Sequence, residues 1–179
     1  MALIGLSAGP ATAAPTHPEG TRPTGVAARP ASPEAEFLIA VHQGNLAQIA
    51  AGKLAAHRSE SRTVRRLGKR FAAYHKKLDA QVKLAAEALD VRLPEEPNSE
   101  QLGLVGQYRT AAVADFDTLF VDTQLAAYER AAKLARLVSA VSTDPSIAKI
   151  VENASPVIEE NRLALTAARD RLAKEQRRQ

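Results

Sequence analysis

Four histidines, His17, His42, His57 and His75, are the side chains of this sequence best suited to hold a metal or move a proton. A di-metal carboxylate site inside a helical protein needs a Glu-x-x-His on each of two helices, because a three-residue step puts both side chains on one face, aimed at one ion. The residues three before the histidines are Ala14, Ile39, Leu54 and Ala72, so the pattern is absent, and so is His-x-x-x-His. His42 and His57 lie fifteen residues apart, about 22 Å along a helix, too far to share an ion. His75 stands beside Phe71 and Leu78 with Asp79 one turn on. As a functional group it would be a single metal ligand, or an acid–base group oriented by Asp79. The plainer reading, adopted here, is a histidine at the edge of the core paired with a surface carboxylate. The expectation is therefore no catalytic residue, no cofactor and no metal site, with His75 the one candidate ligand.

Other catalytic patterns are missing too. Without cysteine there is no thiolate zinc site, iron–sulfur cluster or cysteine nucleophile. No Gly-x-Ser-x-Gly elbow occurs. Gly52-Lys53 and Gly68-Lys69 follow no glycine-rich loop and are not phosphate-binding loops, so these glycines are assigned to close helix–helix contact. Glu159-Glu160 reads as a solvated pair.

Charge is the remaining chemical signal. The net charge is +4, unevenly spread. From Arg58 to Lys77 there are eight basic residues and one acid, Glu60. Arg62, Arg66, Lys69 and Lys76 fall together on the outer side of a helix, a candidate anion-binding face for phosphate, lipid head groups or an anionic polymer. Specific nucleic-acid binding is not expected, since stacking aromatics and a recognition motif are lacking.

The elements that carry these residues are helical. The 179 residues suffice for one ordinary domain. Alanine supplies 36 of them, aromatics only 4%, and there is no Trp, which favours closely packed helices over a sheet. The stretch 1–14 carries no charge, and Ala11-Thr12-Ala13 offers the small residues a signal peptidase reads, so it is expected to be part of a signal peptide. Residues 15–33 hold five of the ten prolines and read as a disordered tether. The domain is expected over 34–175, with a basic tail at 176–179. Ser32-Pro33-Glu34 and Asp144-Pro145 pair a capping side chain with a first-turn proline. Apolar residues recur at helical spacing in four long segments, beginning near Phe37, Val64, Val113 and Ile147, and Ser99 is expected to cap a short helix to about Arg109. Pro156 should kink the last long helix. Four long helices with short connections, and one short helix in the middle crossover, predict an all-α up-down four-helix bundle.

Five stretches stand out: Gly44-Asn45-Leu46-Ala47-Gln48-Ile49 with Gly52-Lys53-Leu54-Ala55, Phe71-Ala72 with His75-Lys76, Leu89-Asp90-Val91-Arg92-Leu93-Pro94, Phe116-Asp117, and Pro156-Val157-Ile158-Glu159-Glu160. They resemble a bacterial family of exported or outer-membrane proteins of unknown function. The resemblance covers roughly 34–173 and implies a ferritin-like bundle. The third of these stretches reads Leu-Gly-Val-x-Leu-Pro in the family, with Gly where this chain has Asp90. The family also carries Glu where this chain has Gln48, Asp-His at Tyr74-His75, Asp-His at Ala127-Tyr128, and His at Asn161. Of the acidic and histidine positions only His75 matches, so candidate ligands are replaced by neutral groups. The expected role is non-enzymatic binding or interaction in the cell envelope, after export to the periplasm, envelope or medium. The alternatives are a degenerate ferritin-like metal-binding protein and a binder of anionic polymer or lipid through the basic helix. An envelope protein or an anionic surface is the expected partner class, and self-association is left open.

Overall fold

The computed structural model describes residues 32–178, and the expected signal peptide and nearly all of the tether lie outside them. Among the described residues there are five helices and no strand: α1 (Pro33–Arg58), α2 (Arg62–Ala88), α3 (Ser99–Thr110), α4 (Val113–Val141) and α5 (Pro145–Gln176). None is long and apolar enough to cross a membrane.

Local chemistry sets the ends. Ser32, Ser61, Asn98 and Asp144 each accept a hydrogen bond from a first-turn backbone N–H, meeting donors that have no partner within the helix. Asn98 and Gln101 form a reciprocal capping box. At the end of α2, Asp90 takes a left-handed φ of 52°. The Val91 N–H bonds Ala86 O and the Asp90 N–H bonds Glu87 O, which is the Schellman closure. Glycine is the usual residue at such a position, because it takes a left-handed φ without strain. Pro156 lies within α5 without ending it, on the exposed side of the helix.

The long helices associate as two hairpins. Across α1 and α2, Gly52 meets Gly68, Asn45 meets His75 and His42 meets Asp79, a register that only antiparallel helices give. A Cβ built on Gly52 would stand 2.6 Å from Gly68 O, and one on Gly68 would stand 2.6 Å from Gly52 O. Only glycine permits that approach. In the second hairpin, Asn161 of α5 meets Tyr128 of α4, and Gln176 meets Thr118.

Arg58 joins the hairpins through α3. Its guanidinium donates to the carbonyls of Tyr108 and Ala111 at the end of α3 and lies over the Phe116 ring. His42 and Gln43 hold the α2–α3 connection by bonding the carbonyls of Pro94 and Glu96. Two apolar clusters result. One centres on Phe71, Phe116 and Phe120, the other on Leu38, Val82 and Ile147. His75 falls in sequence between Phe71 of the first and Leu78 of the second, so the polar cluster described next lies where the two cores meet.

Candidate functional site

One side chain from each long helix builds a buried polar chain. His75 Nδ1 lies 2.8 Å from Asn45 Oδ1, His75 Nε2 lies 3.0 Å from the Tyr128 hydroxyl, and Asn161 Nδ2 donates to that hydroxyl at 2.9 Å. With the Asn45 and Asn161 amides oriented as they stand, only one arrangement gives every hydrogen along this chain an acceptor. Asn161 donates to Tyr128, Tyr128 donates to Nε2, and Nδ1–H donates to Asn45 Oδ1. His75 is then neutral. Its pKa agrees: burial pulls it down to about 4, against the weaker upward pull of the Asp79 charge. Burial pushes the Tyr74 phenol up to about 12 and the Tyr128 phenol further still. This hydrogen-bonded chain therefore holds no charge at neutral pH.

A second chain runs from α4 to α3. The Thr123 hydroxyl donates to Leu119 O at 2.6 Å, so its oxygen accepts from the Tyr108 hydroxyl, which accepts from Gln124 Nε2 at 3.2 Å.

Both chains border a cavity of about 350 Å³ between α1, α2, α3, α4 and α5. Its walls are mostly apolar, with Phe37, Val41, Leu78, Leu134 and Ile150 among them. Alanines of α1 and α4, Ala47, Ala127 and Ala131, leave the space open. Arg130 is the only charged residue of the wall, and no carboxylate lines it. Arg130 and Ala40 are its exposed members and mark the mouth.

The sequence-derived candidates separate accordingly. His75, Tyr128 and Asn161 come together as one network. Gln48 and Tyr74 border the same cavity but bond to nothing among the described residues through Gln48 Oε1 and Tyr74 Oη. Two expectations for His75 are corrected. It is buried, 8% exposed, and its partners are an amide and a phenol rather than a surface carboxylate. Asp79 does not orient it. Asp79 Oδ1 lies 2.6 Å from His42 Nδ1 and Oδ2 lies 3.0 Å from Lys83 Nζ. Residues 75 and 79 both face α1, and each takes the α1 side chain at its own level. His42, 4% exposed, is as deeply buried as His75 and was not singled out by sequence. Asn45, Tyr108 and Gln124 were missed as well. The signal to be read for Asn45 was the run His42, Asn45, Gln48, three polar residues at three-residue steps between Phe37 and Ala51, where the only other polar side chain is Gln43.

The donor set does not suit a metal. Both nitrogens of the one imidazole are engaged, and its neighbours are amides and phenols, poor ligands without a carboxylate. Among the described residues no three His, Asp or Glu side chains come together.

Arg62, Arg66, Lys69 and Lys76 are all exposed on α2, and none lines the cavity. Three other members of the basic run are otherwise committed: Arg58 as above, Arg65 to the carbonyls of Ser59 and Glu60, and Arg70 to Glu160 at 2.7 Å.

In comparisons with known proteins, no curated protein and no solved structure matches the chain. The family model described as Domain of unknown function (DUF4142) matches residues 20–167. That span takes in all of α1 to α4, most of α5 and every residue of both hydrogen-bonded chains, and the protein belongs to this family.

Proposed function

We propose that this protein is a non-enzymatic, exported binding protein of the cell envelope, and that its ferritin-like bundle holds a small, mostly apolar ligand in the central cavity. The observation that carries the reading is the cavity itself, about 350 Å³ of space with mainly apolar walls and a mouth at Arg130. Ligand sites are commonly concave, apolar and sparsely polar, and in helical proteins they lie between helices. The absence of catalysis is supported by a neutral His75 whose two nitrogens are both occupied, and by walls without a carboxylate. Export is supported by the uncharged start of the sequence and by Ala11-Thr12-Ala13.

The test is direct. The neutral dye N-phenyl-1-naphthylamine should bind the wild type saturably at one site. The double substitution Ala47→Leu with Ala131→Leu, which fills the cavity from α1 and α4, should weaken binding at least tenfold while leaving the melting temperature unchanged or raised. Equal dye binding by both proteins would place the dye elsewhere and end the proposal.

A second reading has its own observation. Arg62, Arg66, Lys69 and Lys76 form an exposed line on α2, and none of them pairs with an acid among the described residues. This supports docking on an anionic polymer or lipid surface, alongside rather than instead of ligand binding.

A further inference from the structure

Four side chains of the cavity wall carry a buried polar atom with no partner among the described residues: Asn45 Nδ2, Gln48 Oε1, Tyr74 Oη and Gln124 Oε1. Asn45 and Gln124 are 1% and 2% exposed. Buried polar atoms are nearly always hydrogen-bonded, so four beside one cavity call for an occupant. The two hydrogen-bonded chains fix what two of these atoms offer. Thr123 spends its hydrogen on Leu119 O and Tyr108 spends its own on Thr123, so Gln124 must present its NH₂ to Tyr108, which leaves its oxygen unpaired in the cavity wall. His75 Nδ1–H uses Asn45 Oδ1, so Asn45 presents its NH₂. The wall thus offers an acceptor at Gln124, a donor at Asn45 and a hydroxyl of either sense at Tyr74, all uncharged.

We infer that the ligand is an uncharged, mainly apolar molecule bearing a hydroxyl or N–H donor, an aliphatic alcohol or its equivalent, whose polar group meets Gln124 Oε1 while its chain lies along Phe37, Val41, Leu78 and Ile150. This rests on the cavity reading above and adds the ligand's chemistry to it. A hydroxyl both donates to Gln124 and accepts from Asn45 or Tyr74. A hydrocarbon leaves each of these atoms unpaired. A carboxylate only accepts. It could take hydrogens from Asn45 or Tyr74 but would leave the Gln124 oxygen unpaired, and it would enter a site whose one cation, Arg130, is exposed.

The experiment displaces N-phenyl-1-naphthylamine at pH 7.5 with 1-octanol, methyl octyl ether or octanoate. The ether keeps the oxygen and the chain but cannot donate. Octanol should compete at least fivefold better than either of the others. Gln124→Leu should bring octanol down to the level of the ether, each measured against the dye's own affinity for that variant. Gln124→Met serves as a second variant in case the branched side chain disturbs folding, and melting curves check both. Equal competition by octanol and ether overturns the inference while leaving the cavity reading intact. Tighter competition by octanoate overturns it in favour of an anionic head at Arg130. Absence of one-site dye binding to the wild type defeats the cavity reading, and this inference with it.

Discussion

His75 is held neutral by burial, and this has a consequence for stability. Its pKa is about 4 in the folded protein against about 6.5 in an unfolded chain. Between those values the unfolded chain takes up a proton that the native protein refuses. The contribution is therefore fully present above about pH 6.5 and lost as the pH falls towards 4, about 3 kcal/mol in all. The urea midpoint of the wild type should fall between pH 6.5 and 5, above the range where most carboxylates titrate. His75→Gln should be less stable at pH 7, since Tyr128 and Asn45 lose their partner, but its midpoint should fall less across the same interval. Identical slopes for the two proteins would assign the effect to another group. His75 was recognisable from its apolar neighbours Phe71 and Leu78, yet its partners were not. The Asp79 carboxylate, one turn away on the same helix, looked like its natural neighbour and instead reaches His42. Asn45 and Tyr128 lie 30 and 53 residues away in sequence, and only the register between helices brings them in.

Helix α1 owes its position to a contact that sequence spacing did suggest. Gly52 and Gly68, assigned to close helix packing, stand with each helix's carbonyl where the other's Cβ would be. Gly52→Ala and Gly68→Ala should each destabilise by about 1–3 kcal/mol, because overpacking the α1–α2 contact outweighs the better helix propensity of alanine. At Gly103 and Gly106 of α3, an added Cβ would meet nothing within 4 Å, and their alanine variants should gain up to about 1 kcal/mol each. Chemical denaturation of the four single variants gives the comparison, and destabilisation of all four alike would remove close approach as the cause. The contrast also marks how far local pattern reaches. Caps such as Ser32 and Asp144 act over three or four residues of chain and are readable as helix starts. The expected cap of α3, Ser99, is instead its first helical residue, and the cap is Asn98, whose amide and Gln101 satisfy each other's backbone N–H groups.

Across the molecule, the basic run from Arg58 to Lys77 divides into a committed part and an uncommitted one. Arg58, Arg65 and Arg70 are held by carbonyls or by Glu160, whereas Arg62, Arg66, Lys69 and Lys76 remain exposed. If the second reading holds, wild-type protein should bind vesicles containing anionic phosphatidylglycerol with an affinity that falls steeply as salt rises, because salt screens exposed charges. Changing the four residues to Gln should remove most of that dependence and alter stability by no more than about 0.5 kcal/mol per site. Equal vesicle binding by both proteins would return the ridge to ordinary solvated surface.

Helix content, helix ends and the division of the chain into four long helices and one short one follow from periodicity and caps, which are local properties that a sequence displays directly. The lack of a Glu-x-x-His pair was equally plain, being a matter of residue type and spacing. The cavity was not legible. Its alanines Ala47, Ala127 and Ala131 are ordinary residues in helices rich in alanine, and whether they pack shut or leave a space depends on how far α1 stands from α4. That separation is set by the glycine contact of α1 with α2, by Arg58 beneath α3 and by the bulk of Tyr108 and Phe116, side chains that meet only after folding. The same holds for the direction of the Gln124 amide, which is decided by a hydrogen bond from a neighbouring helix and not by any property of its own segment.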